Sequence, residues 1–374
     1  INSTMTRARD TADLLVTAPD SQALEPDTSI PFILNGAMMV CQRATSAASL
    51  SSGNTRVLDT WNFSEGSDNA VVTMSQVTDG PTGSGFKKSL KIDCTTASGS
   101  VGANDVTKIS QRHEGINCRA FRKGYSDAKK LTLAFWVKST KTGTFIAELF
   151  DHPNNRHCSQ AYTISSSNTW EKKVLNFPAD TTGALGVDNG DSFRIQFFLG
   201  VGSNFTSGTL PSTWESSTTA NFAAGQTAFI GSSTDNELYI TGLQLEVGEF
   251  DSNSIPPFRH EPVDENLTRC KRYFNRMTKS SDYHGVMMGH ASSNDNCRAL
   301  MYHTPEMRAT PTITKSGDFI RSFGTATALS FTVATNNSRT ATIDWGGTGL
   351  FSTNDGIMIT FKTGTGYIQA SAEL

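Results

Sequence analysis

LTLAFWVKST, residues 131–140, puts Leu131, Leu133, Phe135 and Val137 on one side of an extended chain and turns Trp136 to the other. A period of two marks a strand with one buried face. FRIQFFLGV, residues 193–201, repeats the pattern, aligning Phe193, Ile195, Phe197, Leu199 and Val201. Between such runs lie SSGN, TDGPTGSG, TTGALGVDNGD and GSSTDN, which are turn chemistry rather than helix starts. Strands separated by turns, without intervening helices, predict an antiparallel jelly-roll-like β-sandwich over 32–262.

Beyond it the strands are shorter: PTIT, ALSFTVAT, ATIDW, GIMITFKT and YIQASAEL, parted by turns containing NNS, GGTG, STNDG and TGTG. They predict a second, smaller β domain at 279–374, so the fold class is all-β. No fixed-period repeat is present, which disfavours a β-helix or a propeller. ENLTRCKRYFNRM, 265–277, stands apart, because Leu267, Cys270, Phe274 and Met277 recur at three, four and three. That is an amphipathic stripe and predicts a linking helix over 263–278. The stripe suits packing against neighbouring copies, and equally a helix capping its own sandwich with Asp264 as N-cap. Residues 1–31 read as an extended N-terminal connector with one short helix in RARDTADLL.

Composition excludes several classes. The 374 residues carry 35 acidic and 32 basic side chains, a net charge of -3 without long single-sign runs. That argues against a nucleic-acid partner or an anionic membrane recognised by bulk charge. No apolar run reaches the roughly 18 residues of a membrane span. The start, INSTMTRARD, has neither a signal core nor an initiator Met, as expected of a fragment or processed product. The six cysteines, Cys41, Cys94, Cys118, Cys158, Cys270 and Cys297, form no CxxC pair. Cys94 continues the Leu90 and Ile92 face, and Cys118 alternates with Ile116 and Ala120, so buried free thiols formed in a reducing cytosol are expected. The five Asn-x-Ser/Thr triplets are what chance supplies in so Ser/Thr-rich a chain.

DHPNNRHC brings Asp151, His152, His157 and Cys158 close in sequence, but a nucleophile needs a fixed base, and a metal needs ligands on one face. A loop with Pro153 and two Asn supplies neither, so a polar turn between strands is the expectation. HGVMMGH, with His284 and His290, fixes no third ligand. G-x-S-x-G, H-E-x-x-H and a phosphate-binding Gly loop with its Lys are absent from the sequence. Glu148, Asp151 and Glu246 are candidates for the carboxylate pair a glycosidase requires, though sequence alone pairs none of them.

LNGAMMVCQR, LDTWNF, LTLAFWVKS, LQLEVGE, PPFRHEPVDENLTRCKRYF, MRATPTIT and YIQASAEL occur in an order that resembles bacteriophage tail-fibre and related virion-appendage proteins. The resemblance runs from about residue 33 to the end and is most specific at Leu243 to Phe274. Asn35, Gly36, Gln42, Arg43, Trp61, Cys270, Arg272 and Tyr273 match the family pattern. Ala44 departs from it, where Gly commonly follows the Gln-Arg pair. The resemblance implies an adhesive virion component, a homotrimer attached to other virion proteins through its N-terminal segment, and no catalytic residues. Leu267, Cys270, Phe274 and Met277 are then the trimer-interface candidates.

LTLAFWVKSTKTGTFIAELFD, with NTWEKKVLNFP after it, is similar to the sheet of carbohydrate-binding modules, which stack aromatic rings on sugars and often hold a structural calcium. Trp136, Tyr162, Trp170 and Trp214 are the glycan-binding candidates there. Asn294, Asp295, Trp345 and Asn354 are those of a receptor-binding tip in 279–374. No metal ligands are assigned. The expectation is a phage tail fibre that adheres to host-surface polysaccharide or a protein receptor, made in the host cytoplasm and carried on the virion. A glycan-cleaving depolymerase and a capsid-attached fibre or spacer are the alternatives.

Overall fold

The computed structural model describes residues 30–66, 70–99, 101–279, 285–322, 327–362 and 366–374. Its contacts separate Ile1–Phe32 from Ile33–Leu374. Residues 1–29 of the expected connector, with the helix expected in RARDTADLL, lie outside the described residues, as does His284. The account below concerns Ile33–Leu374.

Thirteen strands build a sandwich. They are β1 Ser46–Leu50, β2 Gly53–Thr55, β3 Trp61–Glu65, β4 Val71–Val77, β5 Ser89–Thr96 and β6 Val106–Glu114, then β7 Leu131–Ser139, β8 Gly143–Asp151, β9 Arg156–Ile164, β10 Glu171–Phe177, β11 Asp191–Val201, β12 Glu215–Ser216 and β13 Glu237–Val247. Sheet I runs β1-β4-β5-β13-β7-β10, sheet II runs β12-β9-β8-β11-β6-β3-β2, and every pairing is antiparallel. The alternation of β7 and β11 dictates the core: Phe135 meets Phe197 edge-on with centroids 5.0 Å apart, and Tyr162 at 5.1 Å. Leu133, Val137, Phe145, Leu149 and Ile195 close around them, all buried. Each such side chain contributes about 1.5–3 kcal/mol by leaving water. This is the all-β, jelly-roll-like sandwich expected from the alternating runs.

The helix is shorter than its stripe. α1 spans Val263–Lys271, and Phe274–Thr278 is a strand, β14. It pairs with β22, Tyr367–Ser371, in the register Phe274 to Ser371 through Thr278 to Tyr367. Long-range pairing overrides the local three-four-three spacing and separates residues that a helix would have aligned. Phe274 faces Arg43, whose guanidinium carbon is 3.5 Å from its ring centroid, while Met277 packs into the C-terminal core. Asp264 is not the N-cap; Pro262 holds that position, and Asp264 and Glu265 occupy the first turn, where the helix dipole favours acids.

The remaining strands are β15 Gly285–Ala291, β16 Asn296–Tyr302, β17 Thr312–Ser316, β18 Phe319–Arg321, β19 Ser330–Asn336, β20 Thr340–Gly346 and β21 Gly356–Phe361. Sheet III is β14-β22-β17 and sheet IV is β18-β21-β15-β16-β20-β19, around a core that includes Trp345, Phe319 and Phe361. None of the described helices is long and apolar enough to cross a membrane.

The residues that carry the phage-fibre resemblance converge where these sheets meet the sandwich. Asn35, at φ 52, donates to the carbonyls of Val40 and Asp59. Gly36 lies so close to β13 that an added Cβ would sit 2.3 Å from the Leu243 carbonyl. Gln42 donates to the Phe274 carbonyl at 2.7 Å and to the buried Asp59 carboxylate, and Arg43 reaches Glu373 at 2.6 Å. On the other side Glu114, fully buried, receives Arg272 at 2.8 and 2.6 Å and the Tyr273 hydroxyl at 2.6 Å. These positions form a clasp between sandwich and C-terminal sheets.

Candidate functional site: a polar row across sheet II

On every strand of sheet II the residues out of phase with the core face outward. The registers bring Asn62, Ser110, Gln196, Glu148 and Ser159 into one line across five adjacent strands. The line is held together: Gln196 donates to Glu148 Oε2 at 2.7 Å, and Glu148 Oε1 lies 2.9 Å from His157 Nδ1. On one side runs a second line, Arg112 opposite Arg194 opposite Phe150, with the Arg194 guanidinium 5.6 Å from the Phe150 ring. On the other side Lys108 lies opposite Phe198 and Ser64. The floor is buried, whereas Lys108, Arg112, Phe150 and Arg194 are half-buried and rim it.

Two segments wall this face. The loop after β11 covers Ile146 and Phe198 with Ala223 and Phe222, and its Glu215 reaches His157 Nε2 at 3.3 Å. At the opposite end Tyr273 and Glu373 meet Thr60, Asn62 and Arg112 around a shallow cleft. Asp191 serves both Arg194, at 2.7 Å, and Arg112, at 3.4 Å. Burial, and then the neighbouring Arg194, pull the Arg112 pKa down. Burial likewise lowers that of Lys108, against the field of Glu148. Such a face offers carboxylate, amide and hydroxyl acceptors beside fixed cations and one ring, a pattern suited to a polyhydroxylated ligand.

The glycan-binding candidates disperse. Trp136 and Trp170 are half-buried on the outer face of sheet I, with Tyr239. There the Lys138 ammonium lies 4.2 Å from the Tyr239 centroid and 5.5 Å from that of Trp170. Tyr162 and Trp345 are core residues, buried by the strand phase that sequence alone left open. Trp214 caps a charge cluster, its ring 4.9 Å from Lys123 and its indole N–H donating to the Pro178 carbonyl. Asn294, Asp295 and Asn354 are exposed, in turns that also bond internally, such as Asp295 Oδ1 accepting from the Gly349 amide at 2.6 Å. Of the seam candidates, Cys270 and Phe274 are buried within their own chain, so neither is free for a neighbouring copy, and Leu267 and Met277 are half-buried.

DHPNNRHC splits by strand phase. Asp151 points inward to Lys123, His157 outward to Glu148, and His152 is exposed. Burial pushes the Cys158 thiol up to about 12, away from nucleophilic use. Glu148, Asp151 and Glu246 lie on two faces of sheet II and on sheet I, so no two of them face each other. All six cysteines are free thiols and only Cys41 is not fully buried. Among the described residues no three His, Cys, Asp or Glu side chains gather as a metal-ligand set. Sequence reasoning missed Gln196, Ser110, Asn62, Arg112 and Arg194. The signal was present in FRIQFFLGV, whose Arg194 and Gln196 are the polar phase of the same alternation.

No family model and no curated protein matches the sequence. Solved structures similar to parts of it include the enzymatically active domain of bacteriophage CBA120 tailspike protein 4, 13% identical over 56% of this chain, with a TM-score of 0.29. The match spans about a fifth of that chain, 21%. A putative sugar-binding protein from Bacteroides thetaiotaomicron is 11% identical, with 58% of this chain and all of that one covered, at a TM-score of 0.33. A family 11 carbohydrate-binding module from Clostridium thermocellum is 12% identical, covering 54% and 98%, at 0.27.

Proposed function

We propose that the chain is a glycan-binding adhesive protein and that the outer face of sheet II is its binding surface. The carrying observation is the line Asn62, Ser110, Gln196 and Glu148, flanked by Arg112, Arg194 and the Phe150 ring. A sugar presents hydroxyls in a plane and an apolar face beneath them, so it needs fixed donors and acceptors in a row with a ring alongside. Gln196 and Glu148 are fixed by each other and by His157, which lowers the entropic cost of ordering them around a ligand. Replacing Phe150 and Arg194 together with alanine should weaken binding of host-surface polysaccharide at least tenfold, about 1.4 kcal/mol, in titration calorimetry. Both stand on the half-buried rim and Asp191 keeps Arg112 as a partner, so the thermal transition should fall only modestly. Unchanged affinity in a folded double variant sinks the assignment.

The fuller reading is a phage tail fibre. The order of motifs from Leu243 to Phe274 supports it, and the clasp they build would hold a C-terminal tip rigidly on the sandwich. Weak sites suffice for adhesion when copies are linked, since effective concentration multiplies them. A homotrimer near three times 40.4 kDa is therefore expected by light scattering. A monomer mass at micromolar concentration contradicts it. Purified protein added to host cells before the phage should reduce adsorption, and no change at saturation returns the chain to a spacer role.

One observation favours the rival activity: Glu148, His157 and Glu215 form a carboxylate-imidazole-carboxylate chain at the edge of the same face. Glu148 and His157 are buried and mutually bonded, which suits positioning better than proton transfer to a ligand. Newly formed reducing ends on incubation with polysaccharide would instead establish cleavage.

A further inference from the structure

Lys108 is anomalous on this face. Its ammonium lies 5.8 Å from the Phe198 ring centroid, and among the described residues no carboxylate or carbonyl bonds it. Arg112 follows four residues later on the same side of β6, and Arg194 stands opposite Arg112 on β11. Three cations thus border the Ser110–Gln196 pair. Asp191 answers both arginines, and Glu148, the acid whose field acts on Lys108, has its oxygens engaged by His157 and Gln196. Lys108 is half-buried, with no carboxylate in contact to offset the loss of water, and that burial lowers its pKa. The Phe198 ring gives the ammonium a cation–π contact but no counter-charge, which an arriving anion would supply.

We propose that the sheet II face receives an anionic glycan, its acidic group seated between Lys108, Arg112 and Arg194 above Ser110 and Gln196. This rests on the glycan-binding reading and narrows it to sugars bearing a carboxylate or a sulfate. Asp191 takes Nε and Nη2 of Arg194 and Nη1 of Arg112, which leaves the remaining guanidinium nitrogens as donors for either group, and Lys108 adds a point charge. The hydroxyls of the same sugars would lie along the row toward Glu148 and Asn62.

The test uses the full chain in matched pairs: oligogalacturonate against its methyl ester, and dextran sulfate against dextran, by titration calorimetry at two salt concentrations. The expected result is at least tenfold tighter binding of one acidic member than of its neutral counterpart, weakening with salt. The pair that shows the preference distinguishes carboxylate from sulfate. Lys108→Gln should abolish most of that preference, the affinity for the acidic member falling toward that for its neutral counterpart. Lys108→Met should keep or raise the thermal transition, because it removes a half-buried charge that no carboxylate contacts; a clear fall would make Lys108 structural and overturn the proposal. Equal or tighter binding of the neutral members overturns it while leaving the glycan reading standing. An acidic preference untouched in Lys108→Gln places the anion elsewhere and also overturns it. If neither acidic nor neutral members bind, but a host polysaccharide of neutral sugars does, the proposal alone fails; if that also does not bind, the glycan reading falls with it.

Discussion

Replacing Glu114 with alanine should lower the unfolding free energy by about 1–3 kcal/mol, because it removes the buried acceptor of the Tyr273 hydroxyl together with the partner of the partly exposed Arg272. Glu114 is fully buried and anchors two groups at once, the Arg272 guanidinium at two points and the Tyr273 hydroxyl. Burial, and then the adjacent Glu114, raise the Tyr273 pKa, so that phenol stays protonated and would be left a donor without an acceptor. Glu114→Gln should cost less, since an amide oxygen still accepts. Urea unfolding followed by tryptophan fluorescence reads both variants. A change under about 0.5 kcal/mol for the alanine variant would show that the clasp adds no stability. The loss should fall first on sheets III and IV, detected as earlier exchange of β14 and β22 amides, because Arg272 and Tyr273 directly precede β14.

The second large effect is expected at Lys123. Its ammonium is buried between Asp151 and Asp180, 3.0 Å from the latter, and also donates to the Thr182 and Gly183 carbonyls. Lys123→Met leaves two buried carboxylates with Arg156, Asn154 and the Thr182 amide as partners and no ammonium between them, at a cost of about 3–5 kcal/mol at neutral pH. The pH dependence has a definite sign. Burial alone would raise the Asp180 pKa, but hydrogen bonds from Arg156, Lys123 and the Thr182 amide outweigh it and hold it below the ordinary value. A depressed carboxylate contributes stability above its unfolded pKa, about 4, and loses it as pH falls through the folded value. The parent should therefore weaken below about pH 4, whereas the variant, relieved by protonation, should lose less over that range. Parallel curves for the two proteins would show that Lys123 does not compensate these acids.

The fold was legible wherever a signal is local. The period of two in LTLAFWVKST and FRIQFFLGV decides which side chains enter the core, and Phe135 and Phe197 meet there as that period requires. The same rule misled at 274–278, since a spacing of three, four and three describes a helix only if no strand competes. Tyr367–Ser371, almost a hundred residues away, supplies one, and β14 follows it. The tryptophans illustrate the limit. Trp136 was correctly turned outward from its own strand, but Trp345 is buried because the inner side of sheet IV is the side its strand phase happens to offer.

By itself the sequence determined the all-β class, the turn-separated strands and the free thiols, because strand alternation, turn chemistry and cysteine spacing are properties of neighbouring residues. Only the tertiary structure decided the polar row of sheet II. Asn62, Ser110, Gln196, Glu148 and Ser159 come from five strands, and their alignment depends on registers, each fixed by hydrogen bonds between segments far apart in the chain. A slip of one residue in any of those ladders would send that residue to the opposite face.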